Sequence, residues 1–168
     1  AMTAPDALHV SDGLHVSIDD ASVLCRSGDD EWALPVGPGA LGRLAGLGDP
    51  PRPEELTNAI GLVVDHLDDL VRARPDLIGI ATTLHGEIPR AIAAVEVGAA
   101  PSLPMTLSRE VVEEVFRTLA TEHSSDRRRN PGLPGHLVES VVAGCCIAVA
   151  VMRRLHLDEL VVADGTAP

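Results

Sequence analysis

Asp19 and Asp20 stand side by side after Leu14-His15-Val16-Ser17-Ile18, an alternating stretch that reads as a strand running into a turn. Paired carboxylates at a strand end can hold Mg²⁺, which then bridges to phosphate; more simply, an acidic turn faces water. Gly79, Ala81, Thr82 and Thr83 form a second group of small residues and hydroxyls. Such hydroxyls and turn N–H groups contact phosphates or nucleotides, but two threonines after a buried strand also make an ordinary helix N-cap, which is the simpler reading. The third group is Arg127-Arg128-Arg129. It either grips an anion or, more simply, offsets an acidic surface from a solvated loop.

Other arrangements exclude more than they suggest. His85-Gly86-Glu87 has the His-x-Glu spacing of zinc deaminases, but the Pro-Cys-x-x-Cys partner motif is absent. The seven histidines form neither a His-x-x-x-His nor a His-Glu-x-x-His pattern, and no serine has a convincing triad partner. Cys25, Cys145 and Cys146 contain no Cys-x-x-Cys pair and give no disulfide framework. The adjacent pair lies in the most apolar stretch and reads as inert buried thiols.

Composition narrows the function classes. At 168 residues the chain fits one domain with a substantial core. Hydrophobic residues make up 45% and charged residues 23%, ordinary for a soluble globular protein. Trp32 and Phe116 stand alone beside an absence of tyrosine, so the core must be aliphatic and offers no stacking platform for single strands. A net charge of −12 and a pI near 4.8 argue further against nucleic acid as a partner. The longest apolar run, Val141 to Met152, is too short for a bilayer, and no cleavable leader is visible. A cytoplasmic protein without a membrane partner is expected. Ala1 ahead of Met2 reads as a remnant of tag removal, and residues 1–12 as a disordered tail before a single domain over 13–168.

Periodicity supplies the elements that position these groups. Val23–Arg26 and Trp32–Val36 predict two more strands, joined by a hairpin at Ser27–Asp30. Gly37-Pro38-Gly39 ends the meander, and a short helix is expected over 40–47. The clearest helix opens at Pro53, keeps a three-four apolar spacing through Leu56, Val63, Leu67 and Leu70, and stops at Pro75. Leu77–Ile80 predicts a buried strand, residues 86–97 a helix, and Ser108 the N-cap of the next helix. Leu137–Leu155 is apolar on nearly all sides and belongs at the centre, with Gly144 permitting close packing. Leu160–Val162 is a last strand. A meander followed by alternating helices and strands predicts an α/β fold, a mixed sheet of about five strands covered by helices.

In order and spacing these segments resemble the second, actin-like domain of the Ppx/GppA family of exopolyphosphatases and guanosine-pentaphosphate phosphatases. The family's phosphate turn, Asp-Ile-Gly-Gly-Gly-Ser-Thr-Glu, aligns with Ser17-Ile18-Asp19-Asp20-Ala21-Ser22-Val23-Leu24. Its Gly-Asp-Pro-Pro before a long helix matches Gly48-Asp49-Pro50-Pro51, and its Gly-Gly-Thr-Ala-Thr-Thr-Leu loop aligns with Ile78-Gly79-Ile80-Ala81-Thr82-Thr83-Leu84. Val141-Val142-Ala143-Gly144 and the closing stretch Leu157 to Asp164 resemble further family segments. The likeness covers roughly residues 14–164.

The resemblance implies a ribonuclease-H-like (actin-like ATPase) half-fold. In the family, substrate phosphates and a metal lie between two such halves, and the general base is a glutamate of the other half. No residue here inherits that role, so no catalytic residue is expected. In the phosphate turn, Ser17, Asp19, Asp20, Ala21 and Ser22 stand where glycines would let backbone N–H groups approach an anion, and the two carboxylates repel one. Gly79, Ala81, Thr82 and Thr83 are the implied remnant of the nucleotide loop. The implied function is a degenerate, non-catalytic binding or regulatory module, with a homodimer or protein partner covering the face left open. The alternative is an exopolyphosphatase or nucleotide phosphohydrolase, acting on polyphosphate or a nucleotide as a dimer or completed in trans. The first reading needs no cofactor; the second needs Mg²⁺.

Overall fold

In β1 (Leu14–Ile18), Leu14, Val16 and Ile18 turn into the core while His15 and Ser17 turn away. β2 (Val23–Ser27) returns antiparallel, and the turn Gly28-Asp29 leads into β3 (Asp30–Leu34), where Trp32 lies opposite Cys25. Gly28 adopts φ 59°, the left-handed conformation that a two-residue hairpin asks of glycine. The computed structural model describes residues 13–165, and the expected tail over 1–12 lies outside them.

β4 (Thr82–His85) pairs parallel with β1, and β6 (Glu159–Ala163) parallel with β4. β5 (Met105–Ser108) closes the far edge antiparallel to β6, giving the six-stranded order β3-β2-β1-β4-β6-β5. The strand beyond the five expected is β5. Its four residues follow Pro104 directly, and the sequence offers only one apolar alternation there.

The helices are α1 (Pro38–Ala45), α2 (Pro53–Ala73), α3 (Glu87–Val97), α4 (Arg109–Thr121), α5 (Ser124–Arg127) and α6 (Val141–Arg154). α2 opens with Pro53, and the Glu55 carboxylate accepts N–H bonds from Arg52 and Gly48, closing its first turn. Every residue of α6 from Val141 to Met152 is buried, and α1, α2, α3 and α4 all pack against it. The helices thus form one layer over the face bearing Leu14, Val16 and Ile18. The second face carries His15, Ser17, Leu24, Arg26, Thr83 and Val161, all half-buried, and no described helix layer covers it. No helix among the described residues is long and apolar enough to cross a membrane.

Close packing explains Gly144. A Cβ there would collide with the Ile88 side chain of α3. Gly144→Ala is expected to cost about 1–3 kcal/mol through overpacking, measured as a lower urea midpoint; an unchanged midpoint would show that the two helices can separate freely.

One expected strand is displaced. Pro75–Leu77 is a 3-10 turn rather than strand, Gly79 reverses the chain at φ 77°, and the strand begins only at Thr82. Proline fixes the φ that a turn uses, and β-branched threonines suit the pleat that follows. Thr82 and Thr83 therefore cap no helix. Thr82 Oγ1 donates to the Ile80 carbonyl at 3.0 Å, and Gly86 is the N-cap of α3.

Candidate functional site

Ser17 lies opposite His85 in the parallel β1–β4 ladder, so the turns leaving both strands emerge side by side at one end of the sheet. The first turn, residues 19–22, is closed by Asp19 N donating to Ser22 O at 3.0 Å. The start of α1 packs directly on it. Gly37 N donates to Ala21 O at 3.2 Å and Gly39 N to Asp20 O at 2.9 Å. A Cβ on Gly37 would strike the turn's backbone, and one on Gly39 the Asp20 carboxylate, so both glycines serve this close approach. The second turn, His85-Gly86-Glu87, leads into α3; Gly86 sits at φ 121° with no room for a Cβ against the Ile18 carbonyl.

Between the turns lies a cavity of about 350 Å³, lined by Asp19, Asp20, Pro38, Glu87, His136 and Ser140 among others. Three helices begin at it: α1 at Pro38, α3 at Glu87 and α6 just after Ser140. Their partial positive ends would favour an anion. The side chains reverse that preference. Asp19, Asp20 and Glu87 bring three carboxylates, Glu87 Oε1 pairs with His136 Nε2 at 3.0 Å, and among the described residues no arginine lines the cavity. Asp20 places its carboxylate against the first turn of α1, where an anion would otherwise sit. Among the described residues no three His, Cys, Asp or Glu side chains converge as a metal-ligand set.

The residues singled out in the sequence scatter. Asp19 and Asp20 line the cavity, and Ala21 and Ser22 complete their turn. Ser17 faces the open side of the sheet, lining a smaller cavity with Asp19, Arg26 and His85. Gly79, Ala81, Thr82 and Thr83 lie at the opposite end of β4, where Thr82 is level with Leu14 at the start of β1. Arg127 is no solvated cation. It is 3% exposed, and it donates to the carbonyls of Leu119, Glu122 and Val138. Arg128 is exposed and 3.4 Å from Glu139, and Arg129 is exposed.

Sequence reading set Glu87 aside with the His-x-Glu spacing and missed His136 and Ser140; only the convergence of helix starts brings the three together. It also missed the contact of His15 Nδ1 with His85 Nε2 at 2.9 Å. Both imidazoles are held below their ordinary range. Burial is the main cause for each; Arg26 adds to it at His15 and His15 adds to it at His85, while the Gly165 backbone opposes it at His85. The unfolded chain therefore takes up protons here at higher pH than the folded one. The stability involved is complete above about pH 6.5 and is lost as pH falls through the lowered folded values. Thermal midpoints should drop between pH 7 and 5 more steeply in the wild type than in His15→Gln; parallel curves would contradict this.

Antiparallel meander first, then parallel strands separated by helices, is the half-fold of the actin-like, ribonuclease-H-like class. No family model matches the chain, and no curated protein sequence does. Solved structures do match. A Ppx/GppA phosphatase of Aquifex aeolicus, described as a type II variant, gives a TM-score of 0.80 at 19% identity over 91% of this chain and 54% of that one. An exopolyphosphatase-like protein gives 0.81 at 15% identity over 90% and 54%. An exopolyphosphatase from Cytophaga hutchinsonii gives 0.79 at 15% over 90% and 52%. The likeness is one of fold, and this chain spans about half the length of each structure.

Proposed function

We propose that this chain is a non-catalytic binding or regulatory module: half of a Ppx/GppA-type phosphatase fold whose anion cleft has been turned against anions. The carrying observation is the convergence of three helix N-termini on a cavity whose charged lining is Asp19, Asp20 and Glu87. The geometry of an anion site persists while its charge is inverted. The chain spans about half the length of the phosphatase structures it resembles. Action then rests on contact with a protein, through the sheet face that no described helix layer covers, and a second copy of the chain is the simplest occupant. Three free, buried thiols suit a reducing cytoplasm.

With Mg²⁺ present, the chain should release no phosphate from polyphosphate, ATP or guanosine pentaphosphate above the buffer rate. Release that disappears in Asp19→Ala would overturn the proposal in favour of a phosphohydrolase. Light scattering after size exclusion should give twice 17.6 kDa for self-association; a monodisperse monomer would rule out the second copy and leave a different protein as the partner to be sought.

A further inference from the structure

We propose that the His15–His85 pair is a proton-operated latch holding the two turns of the candidate site together. It bridges the neighbouring strands β1 and β4 on the uncovered face, with its nitrogens 2.9 Å apart. The ring centroids stand 5.2 Å apart with planes tilted by 31°, so edges rather than faces meet. Each ring lies just ahead of one turn: His85 directly precedes Gly86 and Glu87, and His15 is on the short strand that ends at Asp19. His85 is 5% exposed, with the Gly165 backbone beside it.

The chemistry of the contact makes it sensitive to protons. Two imidazoles bond only when one nitrogen carries hydrogen and the other is bare. A neutral pair meets that condition. A first added proton keeps the bond but leaves a cation in a sheltered place; a second sets N–H against N–H and charge against charge, and the bond is gone. Charged groups facing the pair make uptake harder or redirect it. Arg26 on β2, which pairs with Glu31 of β3, stands in register with His15. Asp19, beyond the end of β1, shares the small cavity with His85. On β6, Val161 and Ala163 are level with Thr83 and His85 and carry no charge. Burial already disfavours both cations, so the latch is closed at neutral pH and opens in acid. Opening parts the strand ends that carry Asp19-Asp20 and Glu87, loosening the cavity without unfolding the helical layer around α6. This holds whatever occupies the open face.

Amide hydrogen exchange on the intact chain, corrected for intrinsic rates, reads the latch directly. Between pH 7.5 and 5.0, residues 15–19 and 83–87 should lose at least tenfold in protection while α6 keeps its own. His15→Gln and His85→Gln keep a hydrogen-bonding side chain that takes no proton, so each should hold protection constant over the range. Equal acid loss in the glutamine variants, or wild-type loss spread evenly over the chain, overturns the proposal. Should either variant fail to fold at pH 7.5, imidazole NMR titration of the wild type decides alone. Two coupled, lowered titrations support the latch, and two independent ordinary ones refute it.

Discussion

Asp19→Gly, Asp20→Gly and Glu87→Gln combined are expected to give this protein an affinity for pyrophosphate that the wild type lacks. The three helix starts at Pro38, Glu87 and Ser140 stay where they are, and only opposing charge leaves the cavity. Two unit charges about 4 Å apart repel by about 4 kcal/mol at an effective dielectric of 20. Solvent at the exposed Asp19 and Asp20 screens much of this. Roughly tenfold weaker binding per carboxylate remains a fair scale. Calorimetry should then show no wild-type binding at millimolar pyrophosphate and clear binding by the triple variant. An asparagine version, Asp19→Asn with Asp20→Asn and Glu87→Gln, separates charge from shape. If it binds as well, charge alone was the barrier. If both variants fold yet neither binds, the cradle has lost its geometry as well, and the reading of inverted charge is wrong.

Arg127→Met should produce the largest loss of stability of any single change considered. The guanidinium is enclosed and satisfies carbonyls at the end of α4, at Glu122 and at Val138 ahead of α6, while lying 3.6 Å from Asp49. Asp49 in turn accepts from the Ser124 N–H at 2.7 Å and its hydroxyl at 2.6 Å. One side chain therefore ties the segment before α2 to α4, α5 and the approach to α6. Removing one member of such a buried polar set costs about 3–5 kcal/mol, because its partners remain buried without bonds. For a chain of this size that lowers Tm by about 10 °C. Arg128→Met is the control, since its exposed pair with Glu139 contributes about 0–1 kcal/mol. Equal Tm values for the two variants would mean that the Arg127 bonds are dispensable.

Arg127 also shows where sequence reading stops. Three consecutive arginines look alike in a string, and only the fold decides that one is walled in by main-chain carbonyls while two face water. The hairpin, α2 and α6 were legible because each rests on a local period: two for the strands, three-four for α2, and an unbroken apolar run for α6. β4 was misplaced because Pro75 to Ile80 contains enough apolar residues to imitate a strand, and the turn at Gly79 leaves no periodic trace. Thr82 and Thr83, which the resemblance offered as a nucleotide-loop remnant, lie at the far end of β4 from the acidic turn. Half of the candidate site, Asp19 and Asp20, could be read at a strand end. The other half joins it through parallel pairing of β1 with β4, a long-range event that no window of residues contains.

The position of Trp32 has a practical outcome for anyone following this protein by its fluorescence. It is the chain's single indole, with no tyrosine as a second emitter, and it stands on β3 at the margin of the sheet, across from Cys25. Its emission will therefore report the integrity of that outer ribbon and of its packing against the aliphatic core. An optical melting curve that precedes loss of helical circular dichroism would locate the first rupture at this border.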